Sequence, residues 1–190
     1  MRTLLLTTVV FFSVLTCSHA QITTAQMESS TPGEILKLVA ETLQTQPGNV
    51  SLLRKLETEL KGILAADSST VFKSEVEAKL DLINENLAYH DLMIAAFYMD
   101  QNRSLRGAAS RLQNITQRYP KFSKMDEALF RLGVVSQRSE KNDQAVRYYW
   151  TLICNFPRSE YVNKSFNQLN RIGVSSWEGC KKFELSPRSP

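Results

Sequence analysis

Two stretches of equal length decide the fold: YHDLMIAAFYMDQNRSLRGAASRLQNITQRYP (89–120) and DEALFRLGVVSQRSEKNDQAVRYYWTLICNFP (126–157). Numbered from its first residue, each stretch has a large apolar side chain at position 4 and small residues at positions 8 and 20. Bulky side chains return at positions 24 and 27, and a proline stands at position 32. Small residues let two antiparallel helices approach closely, large ones fill the space between neighbouring pairs, and proline ends the second helix. The residues at these positions are, in order, Leu92 and Leu129, Ala96 and Gly133, Ala108 and Ala145, Leu112 and Tyr149, Ile115 and Leu152, and Pro120 and Pro157.

These offsets resemble the tetratricopeptide repeat, a helical hairpin whose unit is usually 34 residues long. Here the two units begin 37 residues apart, so the linker between them is slightly long. The rest of the chain also has helical periodicity, without sustained alternation ending in Asn-Gly or Asp-Gly turns. The sequence therefore predicts an all-α, tetratricopeptide-like solenoid of helical hairpins. Such solenoids bind other polypeptides more often than they catalyse reactions.

The first 20 residues have the pattern of a signal peptide. A positive start at Arg2 precedes an apolar run from residue 4 to residue 15, and a small residue, Ala20, ends the segment. The apolar run is too short to span a bilayer, which takes about 20 residues. The sequence therefore predicts export.

The three cysteines leave two questions open. Cys17 follows a short apolar motif that resembles the lipid-acceptor site of bacterial lipoproteins, although Thr16 replaces the usual small residue. Either a lipid on Cys17 anchors the chain to a membrane, or cleavage after Ala20 releases it. Cys154 and Cys180 either form a disulfide in an oxidising compartment or remain separate thiols. Neither belongs to a CxxC pair.

Composition and periodicity divide the chain into five segments: a signal peptide (1–20), a flexible leader (21–33), N-terminal helices (34–84), tetratricopeptide-like repeats (85–173) and a disordered tail (174–190). The helices of the N-terminal segment are predicted over 34–43 and from a cap at Asn49 onwards. A long helix is predicted from about residue 70 to Met99, and its second half is the first helix of repeat unit one. A half unit from Tyr161 to Gly173 has no partner helix and is typical of a terminal cap.

Several motifs within the repeats go beyond a generic helical hairpin. They are Phe97-Tyr98 before a short turn, Tyr119-Pro120, Glu127-Ala128-Leu129 leading to Leu132-Gly133, and Asn155-Phe156-Pro157 with Ser159-Glu160. On these motifs the block 84–173 resembles the BamD family, outer-membrane lipoproteins of the barrel-assembly machinery. The resemblance implies a non-enzymatic periplasmic adaptor at the inner face of the outer membrane. Its implied partners are the barrel-inserting outer-membrane subunit and unfolded outer-membrane proteins.

The resemblance also indicates two binding surfaces. First-helix positions of the repeats are expected to form a groove that holds an extended peptide, and the C-terminal half unit is expected to dock on the partner subunit. The groove residues are Met93, Phe97, Phe130, Val134 and Gln137. The docking residues are Phe166, Leu169 and Arg171. For Phe130 the alternative is packing against the next helix.

The sequence offers little chemistry for catalysis or for other ligands. The formal charge of +4 is too mild to predict nucleic-acid binding. His90 is the only histidine after the signal segment, and neither metal-ligand spacing nor a glycine-rich phosphate loop occurs, so we predict no cofactor and no metal. Glu77, Asp81 and Glu85 share one helix face, which indicates a solvated surface rather than a general acid–base pair. The rival hypotheses are another exported scaffold that links cell-wall or division proteins to the outer membrane and, below it, a hydrolytic enzyme that uses these acids.

Overall fold

The computed structural model describes residues 31–66, 72–100 and 104–174. In these ranges the secondary structure consists of seven α-helices and the turns that join them, which confirms the predicted all-α fold. The helices are α1 (Pro32–Thr45), α2 (Val50–Ala66), α3 (Lys73–Asp100), α4 (Leu105–Arg118), α5 (Met125–Arg138), α6 (Asn142–Asn155) and α7 (Tyr161–Ile172). Each helix from α2 onwards packs against the next one along the chain, as in a solenoid of hairpins.

Local side-chain chemistry sets several helix ends. The Asn49 side chain accepts a hydrogen bond from the backbone N–H of Leu52 at 3.2 Å, so the predicted cap of α2 is present. Ser104 caps α4 in the same way, with its Oγ 3.0 Å from the backbone nitrogen of Gly107. At the other end of the chain, α7 stops at Gly173, which has a φ of 85°. Glycine adopts this left-handed conformation without steric cost, and it commonly ends helices.

The repeat positions form the core of both hairpins. Five pairs define the pattern from position 4 to position 27, and nearly all of their side chains are buried. Those with 2% exposure or less are Leu92, Leu129, Ala108, Ala145, Leu112, Tyr149, Ile115 and Leu152. The closest approach lies at Gly133, where an added Cβ atom would be 2.2 Å from the Tyr149 ring. The small residue at position 8 of unit two therefore makes room for the large residue at position 24.

The helix α3 belongs to two layers of the solenoid. It is 28 residues long, and it packs against α2 as well as against α4. Its buried residues, among them Val76, Ile83 and Leu87, continue from the N-terminal helices into the first repeat hairpin. One boundary differs from the sequence prediction: α1 begins at Pro32, within the expected leader.

Parts of the predicted organisation lie outside the described residues. These parts are the signal peptide, Cys17, most of the leader and the tail beyond Val174. In the described part of the chain, no helix combines the length and the apolar character needed to cross a membrane.

Candidate peptide-binding surface

Four large apolar side chains form an exposed stripe on α3. Leu82, Tyr89, Met93 and Phe97 are 49%, 45%, 52% and 48% exposed, whereas a soluble helix usually buries such residues. Their spacings of seven and four residues place them on one side of the helix, which makes a turn every 3.6 residues. The stripe, defined by these four residues, runs for about 22 Å along α3 at 1.5 Å per residue. Exposed apolar side chains that are contiguous in this way are typical of binding surfaces.

The stripe is anchored from its opposite side by a buried polar cluster. Asp91 is 1% exposed, and its two carboxylate oxygens accept hydrogen bonds from Arg111 at 2.8 Å and from Asn114 at 2.5 Å. Both donors lie on α4, so the cluster fixes the rotation of α3 against its hairpin partner. Asp91 is two residues from both Tyr89 and Met93, so the cluster and the stripe lie on opposite sides of α3.

The neighbouring repeat contributes a charge to the stripe. The ammonium group of Lys124, just before α5, lies 5.0 Å from the centre of the Tyr89 ring. At exposed sites a cation–π contact contributes about 0.5–1 kcal/mol. Further along, the rings of Phe97 and Tyr98 are 6.2 Å apart and tilted by 49°. Both aromatic residues of the stripe therefore have a neighbouring side chain in contact with the ring.

The predicted groove residues of α5 have a different environment from those of α3. The Phe130 ring stacks on Tyr161 of α7 with 5.1 Å between centroids, and it also contacts Tyr149 at 6.0 Å. The Gln137 side chain accepts a hydrogen bond from the Tyr149 hydroxyl at 3.2 Å. Val134 is half-buried like both of them. Phe130 and Gln137 therefore line the junction of α5 with the following helices, and only Met93 and Phe97 of the predicted set lie on the stripe.

The other two stripe residues, Leu82 and Tyr89, were not among the groove residues predicted from the sequence. Leu82 precedes the first repeat, and Tyr89 occupies its position 1, which the repeat pattern leaves unspecified. Leu82 and Tyr89 lie eleven and four residues before Met93, and this helical spacing, which puts all three on one side of a helix, could have identified them. The apolar face of α3 is broad enough that spacing alone does not separate its exposed side from its buried one.

The predicted docking residues on α7 separate into core and surface. Leu169 is 1% exposed, so it supports α7 from the interior and does not offer a contact to a partner. Phe166 is half-buried, and its ring meets the edge of Trp150 with 5.9 Å between centroids. Arg171 is exposed. Of the predicted docking residues, Phe166 and Arg171 are therefore the two that reach the surface of α7.

The acidic face of α3 takes part in contacts between elements. Lys121 lies 2.8 Å from a carboxylate oxygen of Asp81, and this hydrogen bond, with the charges of Asp81 and Glu77, raises the pKa of Lys121. Glu85 accepts hydrogen bonds from the backbone N–H and from the hydroxyl of Ser123. These carboxylates therefore connect α3 to the linker between α4 and α5. His90 is half-buried on the same helix.

Two further predictions concern metal and sulfur chemistry. Over residues 31–66, 72–100 and 104–174, no group of three or more His, Cys, Asp or Glu side chains could hold a metal ion. Cys154 is disulfide-bonded. Its partner is outside the described residues, so pairing with Cys180 stays a prediction.

Part of the chain is similar to a known protein family and to two known relatives. The YfiO family, described as outer membrane lipoprotein, matches residues 49–140, which include all of α2, α3, α4 and α5. An outer membrane protein assembly factor BamD from Caulobacter vibrioides is 26% identical over 115 residues, which is 60% of this chain and 37% of the relative. The BamD of Rickettsia prowazekii is 26% identical over 98 residues, 52% of this chain and 39% of the relative. The chain thus matches well under half the length of either relative. Its resemblance to BamD-like outer-membrane assembly lipoproteins is confirmed.

Proposed function

We propose that this chain is a non-enzymatic assembly factor for outer-membrane proteins, acting in the periplasm at the inner face of the outer membrane. The observation that carries the proposal is the position of the stripe. Leu82, Tyr89, Met93 and Phe97 all lie within residues 49–140, the part of the chain that resembles outer-membrane lipoproteins. An assembly factor must hold unfolded clients, and an exposed apolar surface on a rigid helix suits that task.

The geometry of α3 supports an extended client segment as the ligand. In a β-strand, alternate side chains on one face are about 6.6 Å apart, because each residue adds about 3.3 Å. On a helix, residues four apart rise by about 6.0 Å, which is the step from Tyr89 to Met93 and from Met93 to Phe97. A strand lying along α3 can therefore set alternate apolar side chains between successive stripe residues. The chains of barrel proteins have this alternation, since one face of each strand contacts lipid.

The opposite end of the described chain suits a second partner. The surface of α7 combines the half-buried Phe166 ring with the exposed Arg171 guanidinium, and aromatic and arginine side chains are the most frequent anchors of protein interfaces. We assign this surface to the barrel-inserting subunit. A client on α3 and a subunit on α7 would then occupy separate helices.

Site-specific crosslinking in cells tests both assignments. A photo-reactive amino acid at Met93 should crosslink to unfolded outer-membrane proteins, and one at Arg171 should crosslink to the barrel-inserting subunit. The control position is Gln113, exposed on α4 and away from both surfaces. Adducts of Met93 or Arg171 with cell-wall or division proteins would instead favour the alternative scaffold function. Equal crosslinking from Gln113 would contradict the assignment of both surfaces.

A matched pair of substitutions separates binding from folding. Phe97→Ala removes a ring that is 48% exposed and should weaken binding of an extended client peptide about tenfold or more, with little loss of stability. Leu87→Ala, on the same helix but 1% exposed, should lower the free energy of unfolding by about 2–5 kcal/mol. Peptide titration and urea unfolding followed by circular dichroism measure the two effects. A large stability loss from Phe97→Ala would mean that this ring is part of the core.

A further inference from the structure

A seam of apolar side chains lies between α6 and α7, the last two helices of the described chain. The Phe166 ring of α7 meets the Trp150 ring of α6 edge-on, with 5.9 Å between their centroids. Cys154 lies one turn beyond Trp150 on α6, and Val162 lies one turn before Phe166 on α7, so these four residues line and define the seam. Trp150 is 3% exposed, whereas the other three are half-buried. The seam is therefore closed at its base and open along its outer edge.

The disulfide of Cys154 brings another part of the chain to this seam. Cys154 is disulfide-bonded, and the other cysteines of the sequence are Cys17 and Cys180. Under both readings of the export signal Cys17 lacks a free thiol, because a lipid would occupy its sulfur and cleavage after Ala20 would remove it. Pairing with Cys180 therefore accounts for the disulfide of Cys154.

The chain leaves α7 through a turn and does not continue along the helix axis. Val174 donates its backbone N–H to the carbonyl of Leu169 at 3.0 Å, and Gly173 donates to the carbonyl of Asn170 at 3.0 Å. These two bonds form the Schellman motif, which the left-handed conformation of Gly173 permits. Val174 therefore stays beside the last turn of α7, and the residues that follow it are free to run back over the helix.

The chain between α7 and Cys180 is long enough to follow the whole seam. Antiparallel packing of α6 and α7 places Cys154, near the end of α6, level with Val162, near the start of α7. The eleven residues from Val162 to Gly173 rise by about 17 Å. The seven residues from Gly173 to Cys180 reach up to about 23 Å when extended. A nearly extended segment therefore reaches Cys154 only by running back along α7.

We propose that residues 174–180 form a strap along the seam, fastened by a disulfide between Cys154 and Cys180. Trp177 is the fourth of these seven residues, so an evenly extended path places it about 10 Å back from the end of α7, level with Phe166. There the indole covers the open side of the Phe166 ring, a contact that buries two large apolar surfaces. Trp177 also extends the surface of α7 that we assign to the barrel-inserting subunit. This extension rests on the proposed function, whereas the strap itself does not.

Limited proteolysis of the intact, oxidised protein with a glutamate-specific protease tests the strap. The strap contains one glutamate, Glu178. Cleavage after Glu178 should be at least about tenfold slower in the wild type than in Cys180→Ser, because the protease acts on the locally opened chain. Cleavage after Glu140, exposed in the turn before α6, should be equal in both proteins and serves as the internal control. Equal rates of cleavage after Glu178 would overturn the proposal.

A second comparison separates packing on the seam from the effect of the disulfide alone. Phe166→Ala keeps both cysteines but removes the ring that the indole covers, so cleavage after Glu178, relative to the internal control, should become about threefold faster or more. Phe97→Ala removes a half-exposed ring from α3 and should leave that ratio unchanged. An unchanged ratio in Phe166→Ala, or a disulfide that links Cys154 to Cys17, would refute the strap. Neither measurement needs a partner protein, so the strap and the proposed function fail separately.

Discussion

Gly133→Ala is the substitution with the clearest structural consequence. A Cβ atom at this position would lie 2.2 Å from Cε1 of Tyr149 and 2.6 Å from Cδ1 and from Cζ of the same ring. Carbon atoms in van der Waals contact are about 3.5–4.0 Å apart, so the ring would have to move by more than 1 Å. Tyr149 is fully buried, bonded to Gln137 and in contact with Phe130, so such a movement would disturb α5 and α6 together.

Two opposing effects set the size of the change. Overpacking of a filled core costs typically about 1–3 kcal/mol, and a rigid ring at this distance belongs at the upper end of that range. Alanine is favoured over glycine inside a helix by about 1 kcal/mol, which offsets part of the cost. We therefore expect a net loss of about 2 kcal/mol in the free energy of unfolding. For a domain of this size that corresponds to a fall in the melting temperature of about 4–8 °C.

Urea unfolding followed by circular dichroism measures this loss, and a second glycine provides the control. Gly62 lies within α2 and has no atom within 4 Å of an added Cβ, so Gly62→Ala should stabilise the protein by about 0.5–1 kcal/mol. In a Tyr149→Leu background, Gly133→Ala should lose most of its cost, because the ring that it displaces is absent. A Gly133→Ala protein as stable as the wild type would refute the close packing described at this position.

The remaining predictions concern charge, pH and sulfur. In urea unfolding, Arg111→Met should lower the stability by about 3 kcal/mol, because it leaves the buried Asp91 carboxylate without its ion pair. Asp91→Asn should lower it by only about 1–2 kcal/mol, because the guanidinium that it leaves is 42% exposed. The reverse order would contradict the burial of Asp91. Burial raises the pKa of Tyr149 above its ordinary value of 10.0, so above that pH the unfolded chain loses a proton that the folded chain keeps. Stability that is complete below pH 10 should therefore fall as the pH rises beyond it, and it should fall less steeply in Tyr149→Phe when urea unfolding is measured at about pH 9 and about pH 11. Equal slopes would mean that Tyr149 is not responsible. Non-reducing peptide mapping should recover Cys154 linked to Cys180, which is one of the two alternatives that the sequence leaves open, and a link to Cys17 would contradict this expectation.

The helices of the repeats could be predicted from sequence because their pattern is redundant. In each hairpin several positions specify the same register, for example Leu112 and Ile115 in unit one, and Tyr149 and Leu152 in unit two. All four residues are buried, as the pattern requires. A single ambiguous residue cannot shift such a pattern. Capping adds further agreement, as Asn49 illustrates at the start of α2.

The surfaces were harder to predict because a repeat pattern does not specify which helix packs against the open side of each hairpin. Met93 and Phe130 both occupy position 5 of their units, yet Met93 is 52% exposed and the Phe130 ring stacks on Tyr161. The difference lies in helix α7, whose tyrosine reaches back to α5. Leu169 was predicted to be a docking residue for a similar reason. Helical spacing places it on the apolar face of α7, but spacing does not say whether that face packs inside the protein or is exposed.

The length of α3 sets the extent of the proposed client surface. This helix has 28 residues and packs against both α2 and α4, so it links the N-terminal helices to the first repeat hairpin. Its exposed apolar side chains run from Leu82, in the first half of the helix, to Phe97, near its end. An extended segment with alternating hydrophobic residues that spans this length would contact both ends of the stripe. Substituting either Leu82 or Phe97 should therefore weaken its binding.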